Sequence, residues 1–297
     1  MSKADWLRLI VLSLLWGGSF LFVSIALAGG VPPLVLVWCR VGFGAAVLAA
    51  VLMLMRTGFP HRNLWPALVV MGLLNNVIPF TLFAFAQGQI GAGLAAILNA
   101  MTPLFTVLVG HLLLAEERMT GPRVTGVVLG FAGVMVMMRG EGFGGTVLAK
   151  LACLGAALSY AFAGVWGRRF KRSGLPPMAV AFGQCASAAV ILGPVMLVVD
   201  RPWLLPVPET GAVVAIAGLV FLSTALAYLL FFGLLASAGA LNVQLVTFLI
   251  PVSAVLLGVL FLGEVLETKH LAGAALIAAG LVAIDGRFWQ RLRAGAR

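Results

Sequence analysis

Ten apolar stretches, separated by short polar connections, constrain this chain more than any other feature. They run over residues 7–28, 34–55, 64–86, 91–114, 122–138, 146–167, 178–199, 211–235, 241–262 and 270–284. A helix needs about 20 apolar residues to cross roughly 30 Å of hydrocarbon. Lipid offers no partner to an open peptide group, so each stretch is expected to be a helix. None carries the alternating pattern of a membrane β-strand. A soluble fold is excluded by composition: 62% of residues are hydrophobic and 9% charged, where soluble domains carry about 25% charged residues. The expected surroundings are a lipid bilayer, and the expected fold class is an all-α membrane protein of ten transmembrane helices.

Lys and Arg set the expected orientation. With the N-terminus in the cytoplasm, the segments on that side hold Lys3, Arg8, Arg56, Arg62, Arg118, Arg123, Arg168, Arg169, Lys171, Arg172, Arg287, Arg291, Arg293 and Arg297. The other side holds only Arg139, Lys150, Arg201 and Lys269, while Arg40 lies within the second stretch. Short cytoplasmic loops are enriched in Lys and Arg. Both termini are therefore expected inside, in a bacterial-type inner membrane. The net charge of +10 is read as topology, and nucleic acid is not an expected partner. The first apolar run exceeds the ~7–15 residues of a secretory signal and is taken as a helix.

The two halves resemble each other. At an offset of 148, Pro103 falls on Pro251, Gly110 on Gly258, Glu116 on Glu264 and Thr120 on Thr268. Phe80 and Phe83 fall on Tyr228 and Phe231 at the same offset, and Trp16 falls on Tyr160 at an offset of 144. Residues 1–140 and 141–297 thus read as two copies of a five-helix unit. Five is odd, so the second copy crosses the membrane in the opposite sense. Such 5+5 inverted-topology repeats are a mark of secondary transporters, whose substrate site lies near the midplane between the halves.

The strings AAILNAMTPLFTVLVGHLLLAEERMTGPRVTGVVLGFAGV and NVQLVTFLIPVSAVLLGVLFLGEVLETKHLAGAALIAAG resemble the paired EamA repeats of the drug/metabolite transporter superfamily. The early LLWGGSF and Arg40 fit the same pattern. Within that family the chain is similar to YddG-type exporters of aromatic and other amino acids. The resemblance implies a central cavity lined mostly by helices 1, 3, 4, 6, 8 and 9, worked by alternating access. It leaves nucleotide-sugar-like metabolites and cationic drugs as competing substrates.

Polar residues and helix breakers inside the apolar runs give the candidate site. Helix 3 carries Asn75, Asn76 and Pro79; helix 4 carries Asn99, Thr102 and Pro103. Helix 8 carries Thr224 and Tyr228; helix 9 carries Gln244, Thr247, Phe248 and Pro251. A proline within a helix leaves a carbonyl without its donor and bends the axis. Trp16, Phe80, Phe83 and Tyr160 supply aromatic walls. Apolar walls with a few amides suit small zwitterions with apolar side chains, and equally suit neutral metabolites. The same amides also serve as glue between helices. Arg40 has two readings: a fork for a substrate carboxylate, or a side chain that snorkels outward or pairs with Glu141 or Glu209.

No Asp or Glu lies deep in any stretch. Cation-coupled carriers place such a group at membrane depth, so carboxylate-based proton coupling is not expected. Glu116 and Glu264 sit at helix ends just before Thr120 and Thr268, and the threonines are expected to cap helices 5 and 10 with the acids near the positive helix end. Gly126, Gly130 and Gly133 permit close helix packing, and helices 5 and 10 read as scaffold or as a dimer surface. Cys39, Cys153 and Cys185 lie in apolar runs without metal-ligand spacing, and His61, His111 and His270 lie in separate segments. No catalytic constellation, metal site or cofactor is expected, and the chain does not read as an enzyme. The sequence leaves open whether it is a monomer or a homodimer.

Overall fold

The computed structural model describes residues 1–285 apart from Ala115, Arg118, 140–144 and Arg172. Among the described residues the regular structure is entirely helical. The helices are α1 (Lys3–Ala28), α2 (Pro33–Leu54), α3 (Arg62–Gln87), α4 (Ala92–Leu113), α5 (Gly121–Met138), α6 (Thr146–Lys171), α7 (Pro177–Val199), α8 (Thr210–Ala238), α9 (Val246–Leu262) and α10 (Thr268–Ile284). The first eight are long and apolar enough to cross a membrane, and α9 and α10 are shorter apolar helices.

Three of the helices are not uniform. In α3 a wide π-turn occupies Leu73–Val77, and Pro79 stands in the first turn of the regular segment that follows. In α4 the helix breaks at Ala100 and Met101, and Pro103 again opens the next segment. In α8 a π-turn spans Gly218–Leu226. Pro251, by contrast, sits inside an unbroken α9. The break near α9 falls earlier, between the short helix Ala240–Val243 and Val246. The Thr247 carbonyl, which has no Pro251 N–H to accept from, is therefore accommodated within the helix.

Helices of the first half pack chiefly on helices of the second. α1 lies against α8 and α9, α2 against α7 and α8, and α3 against α6 and α7. α4 lies against α6 and α9, and α5 against α10. The α5–α10 crossing is set by glycine. A Cβ on Gly126 would lie 2.5 Å from the Gly280 carbonyl oxygen, and one on Gly133 would lie 2.6 Å from that of Gly273. Any side chain there would drive the backbones apart. The three glycines Gly126, Gly130 and Gly133 therefore act within the chain, as scaffold.

Two carboxylates bind helix N-termini at one end of the bundle. Glu264, just past α9, accepts from the backbone amides of Ala92 (2.5 Å) and Gly93 (2.9 Å) in the first turn of α4. Asp200, just past α7, accepts from the Val35 amide in the first turn of α2 at 3.0 Å. The expected cap on α5 is corrected. Glu264 serves a helix of the other half, the Thr120 side chain makes no capping bond, and Glu116 is exposed. A carboxylate goes to whichever orphan amides the tertiary fold brings within reach. At the opposite end Asp5 accepts from the Ser237 hydroxyl at 2.7 Å, joining α1 to α8, and Arg168 pairs with Glu117.

Candidate functional site

The π-turns of α3 and α8 and the residues flanking the α4 break border one cavity of about 770 Å³. Small-molecule sites occupy roughly 300–1,000 Å³. Its walls come from α1, α2, α3, α4, α6, α7, α8 and α9, so both halves of the chain contribute. One end stops at the buried Val23, Leu36, Gln87 and Leu219. The other end reaches the exposed Lys171 and Gly174 in and after the last turn of α6. The cavity therefore opens at one end, and its blind end is the end pinned by Glu264 and Asp200.

Eleven of the residues singled out in the sequence line this space: Trp16, Asn75, Asn76, Phe80, Phe83, Asn99, Thr102, Tyr160, Thr224, Tyr228 and Thr247. Gln244 and Phe248 do not. Gln244 falls in the break before α9 and is exposed, and Phe248 packs into the apolar core. The early break rotates the start of α9, so a straight-helix register misplaces both. The prolines serve the wall indirectly. Pro79, Pro103 and Pro251 have no N–H to return to the carbonyls of Asn75, Asn99 and Thr247, four residues back and all on the cavity.

Aromatic rings make the apolar walls. Trp16 lies 5.4 Å from Phe231, and Phe20 meets Phe83 edge-on at 5.4 Å. Phe83 stacks on Tyr160 at 6.3 Å, and Tyr228 on Phe232 at 5.9 Å. Across them runs an amide chain. Asn75 Nδ2 donates to Gln184 Oε1 (3.2 Å), and Gln184 Nε2 donates to the Tyr228 hydroxyl (2.7 Å). Gln184 thereby ties α3, α7 and α8 together. Asn76 is buried, and its Oδ1 accepts no hydrogen bond among the described residues. Such an atom costs about 1–3 kcal/mol unless something enters to satisfy it.

Arg40 also lines the cavity. Its Cζ lies 3.9 Å from the centre of the Phe80 ring, and its Nε is 3.5 Å from the Thr224 hydroxyl. It does not snorkel to the surface. Glu209 is exposed at the start of α8, and Glu141 lies outside the described residues. Gln184, Ser19 and Gln87 are wall residues that the sequence reading passed over. The signal for Gln184 was present, an amide deep in an apolar run. None of the described lining residues is Asp or Glu, and no group of three His, Cys, Asp or Glu side chains among the described residues could hold a metal ion.

A helical bundle of this apolarity around a one-ended cavity defines a multi-pass membrane protein with an interior space of small-molecule size. The sequence pattern of the EamA-like transporter family matches the chain twice, over residues 6–139 and 147–284. The chain belongs to that family, within the drug/metabolite transporter superfamily. It is 29% identical to the uncharacterized transporter YvbV of Bacillus subtilis, over 94% of this chain and 90% of that one. It is 25% identical to the probable amino-acid metabolite efflux pump of Escherichia coli strain K12, over 98% of each. A solved crystal structure, 24% identical, has the same fold with a TM-score of 0.66 over 98% of this chain and 99% of that one.

Proposed function

We propose that the chain is a secondary carrier that exports small apolar and aromatic amino acids across the inner membrane. The observation that carries this reading is the cavity itself: aromatic walls, a short set of amides, and one open end, at the junction of the two halves. An apolar side chain suits the ring-lined walls, and the polar end of an amino acid suits the amides. The Escherichia coli relative named as a probable amino-acid metabolite efflux pump supports the substrate class. A wall without carboxylates weighs against cationic drugs and against carboxylate-based proton coupling.

Ten crossings in two inverted five-helix units would supply the moving parts. The contact pattern supports this: exchanging the halves turns α1–α9 into α6–α4 and α2–α8 into α7–α3, and keeps α2–α7 and α5–α10. The π-turns of α3 and α8 also fall on each other at the offset of 148. The open end carries Arg168, Arg169 and Lys171 and is the cytoplasmic end on the positive-inside rule. The described state is then inward-open, loaded from the cytoplasm.

Counterflow tests the proposal. Proteoliposomes loaded with unlabelled phenylalanine should accumulate labelled phenylalanine against its gradient, as a carrier does and a channel does not. Trp16→Ala and Asn76→Ala should each lose most of that accumulation. Folded protein that accumulates no amino acid would remove this substrate class. A substrate-driven pH change in sealed vesicles, beyond leak, would remove the uncoupled mechanism.

A further inference from the structure

We infer that Arg40 is the anchor for a single carboxylate on the substrate, so that the carrier selects for that group. The inference rests on the carrier reading and names the chemical feature the cavity recognises. The guanidinium is held in place without being neutralised. The Phe80 ring covers one face at 3.9 Å and the Thr224 hydroxyl lies 3.5 Å from Nε. Its two terminal nitrogens, Nη1 and Nη2, donate no hydrogen bond among the described residues, and no carboxylate oxygen of those residues lies within ion-pair distance. A cation within a membrane-spanning helix normally has a partner. Arg40 lines the cavity, so the missing anion is one that arrives from it.

The surroundings point the same way. A planar guanidinium offers two parallel donors that match the two oxygens of a carboxylate. Lys171 stands at the mouth, so the path carries a positive side chain there as well as at Arg40. Like charge along a low-dielectric cleft concentrates anionic groups. Asn75 and Asn99 place amides on the same walls. An N–H of the ligand suits these, and an α-amino acid is a ligand that carries both groups.

The test compares phenylalanine with phenylalaninamide, which differ at the carboxylate alone, in counterflow by the full-length protein. The wild type should favour the acid by roughly tenfold or more in half-saturation, as expected when a buried polar group is left unpaired. In Arg40→Gln that ratio should collapse towards unity, and Arg40→Lys should restore part of it. An equal ratio in wild type and Arg40→Gln overturns the anchor and leaves the amino-acid reading standing. Exchange of 3-phenylpropionate but not phenylalanine, lost in Arg40→Gln, keeps the anchor and removes the amino-acid reading. Folded protein that exchanges no carboxylate overturns both. Should Arg40→Gln fail to fold, thermal stabilisation of the wild type decides: equal protection by acid and amide overturns the anchor.

Discussion

Gln184 organises one wall of the cavity from the middle of an apolar helix. Its amide takes one hydrogen bond from Asn75 and gives one to Tyr228, so three helices share a single side chain. Interhelical bonds of this kind contribute ~0.6–2 kcal/mol each. Gln184→Leu keeps the bulk and removes both bonds. It is expected to raise the half-saturation of counterflow about three- to thirtyfold, read as a shift along the concentration axis. Residues of this kind were half legible. Asn75, Asn76, Asn99 and Thr224 stood out because polar groups are rare in such runs, and all line the cavity. Which of them pair across helices did not stand out, because lipid and neighbouring helices are equally apolar and a sequence does not mark which face meets which. Arg40 is the extreme case, since the same residue fits a membrane surface or a cavity wall until its neighbours are seen.

Among the elements, the irregular helices surround the cavity and the regular pair α5–α10 stands apart from it. Prolines announced two of the interruptions, at Pro79 and Pro103, because a missing N–H is a local fact. The π-turn of α8 has no proline and the break before α9 precedes Pro251 by several residues, so neither was legible. The glycines of α5 were legible as close-packing positions, but their α10 partners Gly273 and Gly280 were not. Gly133→Val forces a side chain onto the Gly273 carbonyl. Overpacking costs about 1–3 kcal/mol, so the midpoint of thermal unfolding in detergent is expected to fall by several degrees. Gly164, with open space beside it, is the control position, where Gly164→Ala should not lower the midpoint.

For the whole molecule, the closed end depends on Glu264 bridging α9 to the first turn of α4. Hydrogen bonds to a charged group contribute roughly 1.5–3 kcal/mol. Glu264→Gln keeps one acceptor and loses the charge. It should populate states open at that end, and a cysteine placed at Leu36, now 1% exposed, reports them. With Cys39, Cys153 and Cys185 replaced by alanine, labelling by an impermeant thiol reagent should rise about tenfold. Labelling unchanged by the substitution would mean that apolar packing alone closes that end. The interleaved packing of the halves has a consequence for the gene as well as for the protein. Nearly every helix finds its main neighbours across the midpoint of the chain, so neither half can bury its inner faces alone. Expressed as two separate polypeptides, 1–140 and 141–297, the halves should each be degraded singly and accumulate together, as obligate subunits that one reading frame happens to join.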